Sequence, residues 1–134
     1  MSPENRQANI DDELAHSDEA MRAADALFSM GLLRDAMNRL YYALFHMSLA
    51  LLLTEDLEPA SHRGLQSLFG LHLVKTGKLP AELGATLRRA QAFREAADYT
   101  RGFVVPEAEC RREFEAARAF LAAGREFLKR TPGT

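Results

Sequence analysis

Tryptophan is absent from this chain and cysteine occurs once, at Cys110. A lone cysteine cannot close an internal disulfide, and with no second thiol or histidine cluster beside it no structural zinc site is expected. Neither a metal nor any other cofactor is predicted, and the expected setting is reducing and cytoplasmic. Long apolar runs are also missing. The longest, residues 41–53, has thirteen residues and contains His46 and Ser48, well short of the roughly 20 helical residues that span a bilayer. The opening stretch MSPENRQANIDDE has neither the basic start nor the apolar core of a secretory signal, so no membrane partner is expected. Period-two alternation is confined to residues 103–105, which leaves nothing from which to build a sheet.

What remains is composition for one globular domain. Hydrophobic residues make up 47% and charged residues 27% of the 134, close to the globular average and far from disorder. A single domain over residues 1–134 is expected, with 1–9 and 131–134 frayed. The net charge of −2 is unevenly spread. Residues 1–30 carry seven acids against two bases, the rest twelve acids against fifteen bases. That asymmetry permits a mildly basic surface but does not by itself predict nucleic-acid binding.

The hydrophobic pattern is helical throughout. Leu14, Met21, Ala24, Leu27 and Phe28 recur at spacings of three, four and seven, which predicts an amphipathic helix from Asp11 to Met30, capped by Asp11 or Asp12 and closed by Gly31. A second helix, 32 to about 54, is apolar nearly all round after Arg39 and is the expected centre of the fold. Ser61 caps a predicted third helix running to Thr76. Pro80 opens a fourth ending near Tyr99, and Pro106 a fifth carrying Phe114, Ala117, Phe120, Leu121 and Phe127. The expected fold is all-α, an antiparallel up-and-down four-helix bundle with a short additional helix.

Against this apolar background Arg39, Tyr42 and His46 stand out. Residues seven apart share a helix side two turns distant, so the three form one polar stripe on the second helix. Such groups need partners. They are either satisfied core or interface groups, or the wall of a phosphate-facing cleft with Arg39 as anion clamp and His46 as proton carrier. Arg94 and Asp98, one turn apart, are either an i,i+4 ion pair or a second element of that cleft. His62, Arg63 and Lys75 are expected at solvated helix ends, and His16 and His72 as surface or core histidines.

The strings NRLYYALFHMSLALLL, SHRGLQSLFGLHLVKTGKL and LRRAQAFREAADY, taken in order, resemble the HEPN family (higher eukaryote and prokaryote nucleotide-binding domain). In that family Arg-x-Tyr-Tyr-Ala-x-Phe-His, His-x-Gly, Lys-x-Gly and Arg-x-x-x-Asp-Tyr recur in the same sequence. The resemblance implies a helical bundle, commonly a homodimer, paired with a minimal nucleotidyltransferase in toxin–antitoxin-like systems. It implies nucleotide or RNA-phosphate binding at Arg39, Tyr42, His46, Arg94 and Asp98, and a nucleotidyl acceptor at Tyr99. Some members are metal-independent ribonucleases marked by Arg followed after four to six residues by His. Here Glu95 to Gly102 follow Arg94 with no histidine, so a nuclease would use Arg39 with His46, or Arg94 with a histidine from elsewhere in a dimer. Three functions stay open: a phosphate- and partner-binding subunit, an endoribonuclease toxin and a structural adaptor.

Overall fold

A computed structural model describes residues 1–131. Five α-helices account for it: α1 (Pro3–Ser29), α2 (Leu33–Leu53), α3 (His62–Phe69), α4 (Ala81–Tyr99) and α5 (Glu107–Arg130), with a π-helical turn, Gly70–Val74, extending α3. No strand occurs among the described residues, and residues 103–105 run as coil between α4 and α5.

The direction of each helix follows from the side chains that tie it to its neighbour. Ser17 on α1 donates from Oγ to the Ala43 carbonyl of α2 at 2.7 Å, while Glu13 reaches His46. As one number falls the other rises, so the pair is antiparallel. Arg118 bonds Asp25 and Arg125 bonds Asp18, both at 2.6 Å, which sets α5 antiparallel to α1. Arg34 at the start of α2 donates to the Phe103 carbonyl just beyond α4. The result is the up-and-down four-helix bundle the sequence predicts, with α3 as the short added helix.

α2 is its axis. Leu40, Tyr41, Leu44, Met47, Leu51 and Leu52 on this helix are fully buried, because α1, α3, α4 and α5 all pack on it. α5 packs tightly on it at Gly124, where even a Cβ would lie 2.6 Å from the sulfur of Met47.

Boundaries differ from expectation at two places. α1 begins at Pro3, not Asp11. Ser2 is the cap, accepting from the Asn5 amide at 3.1 Å, with proline in the first turn where its missing N–H costs nothing. Arg6 then holds Asp56 of the α2–α3 loop with two bonds, 3.0 and 2.6 Å. Asp56 sits at φ +57°, so this bidentate pair fixes a strained loop and keeps the first turns of α1 on the bundle. Residues 3–9, expected to fray, are thus part of the helix. The third helix also loosens into the π turn after Phe69, earlier than the predicted end at Thr76. Residues 132–134 of the expected frayed tail lie outside the described residues.

Cys110 is fully buried at the base of α5. Burial, reinforced by nearby Glu107, pushes its thiol up to about 11. The thiolate fraction at pH 8 is then on the order of 0.1%. In the folded protein Cys110 is expected to resist a thiol reagent such as Ellman's reagent, and to react at once when urea unfolds the chain. Fast stoichiometric reaction without denaturant would contradict this burial.

Candidate functional site

The site grows from a half-buried strip of α2, where Arg39, Tyr42, Phe45 and His46 emerge between α1 on one side and α3 and α4 on the other. The predicted stripe is real. Arg39, Tyr42 and His46 line one groove of about 300 Å³ with His16, Glu19 and Ala20 of α1. His46 Nδ1 lies 2.7 Å from the Glu13 carboxylate, and its ring stacks on that of His16 with centroids 5.0 Å apart. The Glu13 carboxylate and the His16 ring thereby hold the His46 ring in place between α1 and α2. Arg39 bonds only the Asn38 amide oxygen among the described residues, at 3.0 and 3.2 Å, and lies over the Tyr42 ring at 4.8 Å.

Tyr42 connects this groove to a second one. The Arg94 guanidinium of α4 stands 5.8 Å from the Tyr42 centroid and 5.2 Å from that of Tyr41. Two cations from different helices therefore converge on one aromatic pair, an arrangement worth about 1–2 kcal/mol where it is partly desolvated. Arg94 is largely buried, with 14% of its side chain exposed. Its pair with Asp98 is long, 3.4 Å through Nη1, and its Nε has no partner among the described residues. The ion pair expected from the i,i+4 spacing is present, but it leaves most of the guanidinium fork unused.

Arg94 opens onto a cleft of about 540 Å³ between α3 and α4, lined with His62, Arg63, Gln66, Arg88, Gln91 and Glu95. Three arginines and a histidine face two sides of it against one carboxylate. Here the sequence reading of His62 is corrected. It does not stand free at a helix end: its Nδ1 lies 2.6 Å from the Tyr41 hydroxyl, and its ring packs 4.9 Å from Phe45. Burial and then the charge of Arg94 hold His62 below the ordinary histidine range, Glu95 opposing them. Burial also drives the Tyr41 hydroxyl well above the usual phenol value. Both groups are therefore neutral near pH 7. Arg63 and Lys75 are exposed, as expected.

Arg94 and His62 meet although 32 positions separate them, because α3 folds back over the strip between α2 and α4. The sequence signals for this were the His62-x-Gly64 motif and the need of a buried tyrosine hydroxyl for a partner. Neither specified the other. Tyr99 ends α4 with its side chain turned outward, 81% exposed, and takes no part in the cleft. Among the described residues no cluster of three or more His, Cys, Asp or Glu side chains is arranged to hold a metal ion, and no helix is long and apolar enough to cross a membrane.

The family model of the HEPN domain matches residues 11–129 of this chain. A protein of Methanocaldococcus jannaschii that carries the name "Putative toxin" is 42% identical over 84 residues, 63% of this chain and 63% of that protein. A second protein of that name from the same organism is 27% identical over 112 residues, 84% of this chain and 76% of the relative. A UPF0332 protein of Gloeobacter violaceus is 35% identical over 99 residues, covering 74% and 75% of the two chains. The first of these relatives is thus matched over less than two thirds of its length.

Proposed function

The chain belongs to the HEPN family, and from that premise we propose that it is the phosphate-binding half of a toxin–antitoxin-like pair whose other half is a minimal nucleotidyltransferase. The ligand is a nucleotide or an RNA phosphate, and the site is the α3–α4 cleft continued over Tyr42 to Arg39. One observation carries this reading: the buried Arg94 guanidinium stacks on Tyr41 and Tyr42 yet has an unpartnered Nε and only a 3.4 Å contact to Asp98. A cation held in place but poorly neutralised is what a phosphate site needs, since the fork of an arginine matches two phosphate oxygens. Arg88 and Arg63 add charge at the rim. Asp98 orients Arg94 and does not itself touch the anion. The names that the two Methanocaldococcus jannaschii relatives carry support the toxin–antitoxin setting.

A homodimer fits the same strip. Asn38, Tyr42, Phe45 and Leu49 form a partly buried row at helical spacing along the otherwise buried α2. A second copy seated there would bring its own Arg39 near the cleft.

Tyr99 is the proposed nucleotidyl acceptor. It combines a free hydroxyl with full access, which transfer from a partner's active site requires. Incubation with the partner enzyme and ATP is expected to raise the intact mass by one or more nucleotidyl groups, the Tyr99 oxygen taking the α-phosphate of ATP with release of pyrophosphate, and Tyr99→Phe is expected to abolish the gain. An unchanged wild-type mass removes this part of the proposal.

The ribonuclease reading keeps one specific support, the nearness of His62 to Arg94, which supplies within one protomer the histidine missing after Arg94 in sequence. The adaptor reading is weakened by Arg39, which has no carboxylate partner among the described residues, and by Arg94, paired only at 3.4 Å with Asp98. RNA cleavage in EDTA separates the first from phosphate binding, and phosphate binding itself separates the second.

A further inference from the structure

We propose that Tyr41 locks the His62 ring in the tautomer that carries its proton on Nε2, making His62 a neutral hydrogen-bond donor to a ligand phosphate rather than a base. This deepens the phosphate-binding reading of the α3–α4 cleft and rests on it.

The Tyr41 hydroxyl decides which ring nitrogen carries the proton. Tyr41 is fully buried and the only hydrogen-bonding partner of its hydroxyl among the described residues is His62 Nδ1, at 2.6 Å. A buried O–H that does not donate forfeits a bond it had in water. If Nδ1 carried the ring proton, the imidazole would donate to the tyrosine oxygen and leave the tyrosine proton with no acceptor. If the hydroxyl donates, Nδ1 presents its lone pair and both buried atoms of the contact are satisfied. The second arrangement wins, and in a neutral imidazole it puts the proton on Nε2.

The groups facing the ring agree. Tyr41, Tyr42 and Phe45 from α2 present aromatic surface, and from α4 Arg94 and Glu95 present one charge of each sign. Arg63, beside it on α3, adds a positive charge at the rim. The balance is cationic and disfavours a protonated imidazolium. With Nδ1 tied to the interior, the ring edge left to line the cleft is the one bearing Nε2, beside Arg94 and Arg88. A donor there adds to the two guanidinium forks as a third phosphate contact without adding charge. The same proton blocks the lone pair that a base would use on a ribose 2′-hydroxyl. His62 therefore holds a phosphodiester without serving as the base that would cleave it.

The test uses the full chain with ¹⁵N-labelled histidine. Two-bond ¹H–¹⁵N spectra at pH 7.5 distinguish a proton-bearing ring nitrogen from one with a lone pair, and the His62 signals are assigned by their loss in His62→Gln. Free protein is expected to show protonated Nε2 and bare Nδ1. Titration with AMP and, separately, with a short oligoribonucleotide is expected to shift Nε2, the two arms showing whether a free nucleotide or an RNA strand is preferred. In binding by fluorescence anisotropy, His62→Ala is expected to lose about tenfold in affinity or more. His62→Gln, which restores an N–H donor but no proton chemistry, is expected to recover most of it. Tyr41→Phe, checked for folding, is expected to mix the tautomers. The inference is overturned by a proton on Nδ1 in the free protein, by Nε2 standing still while ligand binds, or by no recovery in His62→Gln. Failure of wild type to bind either ligand overturns the phosphate reading itself, and the free-protein tautomer tells the two failures apart.

Discussion

Replacing Arg94 by alanine is expected to weaken binding of a short oligoribonucleotide by about 10- to 100-fold while leaving the helical fold intact. The range is that of one hydrogen-bonded charge contact, about 1.5–3 kcal/mol. Loss of a single phosphate contact also lowers the salt dependence of single-strand binding by about 0.7 in the log–log slope, a signature a purely structural role would not produce. Arg94→Lys is expected to recover only part of the loss, because an ammonium replaces the fork with a point charge and stacks less well on Tyr41 and Tyr42. Asp98→Ala separates orientation from contact. If Asp98 only steadies Arg94 through their 3.4 Å pair, its removal costs far less than removal of Arg94. Equal losses in the two variants would show that the pair acts as one unit. An unchanged affinity in Arg94→Ala would remove the cleft from the account.

The largest expected effect on stability lies elsewhere, at the crossing of α5 over α2. A Cβ on Gly124 would sit 2.6 Å from Met47 Sδ and 2.9 Å from its Cγ, and Met47 is itself completely buried. The thioether is in mid-chain, so it cannot swing aside without moving the core around it. Gly124→Leu is expected to cost about 3 kcal/mol or more, at the upper end for overpacking, out of a total stability of about 5–15 kcal/mol. Gly84 on α4 is the control. A Cβ there meets Val74 at 3.6 Å and the end of Arg88 at 3.4 Å, both tolerable, so Gly84→Ala is expected to gain up to about 1 kcal/mol from helix propensity. Urea midpoints at constant slope measure both. Equal behaviour of the two glycines would mean that α2 and α5 are not in close contact at Gly124.

The bundle was legible because its signals are local. Heptad-like spacing in α1 and α5, the all-round apolar character of α2, and the turn residues at Gly31, Gly77, Pro80 and Pro106 each report on their own segment. The missed start of α1 has a physical cause. Pro3 to Asn9 lack an apolar stripe, and they are helical because Ser2 caps them and Arg6 is held by Asp56, fifty residues away. The site was half legible for a related reason. Arg39, Tyr42 and His46 share one helix, so their alignment follows from periodicity. The engagement of His46 by Glu13 and His16, and the meeting of His62 with Tyr41 and Arg94, depend on how α1, α3 and α4 lie on α2. No spacing within one helix encodes that. Sequence therefore singled out the histidine on the stripe, whereas the ring beside Arg94 comes from a helix end that looked solvated.

The most direct test of the central claim is to incubate a fluorescent mixed-sequence RNA with purified wild-type protein in EDTA, reading anisotropy and strand length from the same samples. Bound and intact RNA, with binding lost in Arg94→Ala, is the predicted result. RNA that never binds, or that is cut by wild type and spared by folded His62→Gln, would contradict it.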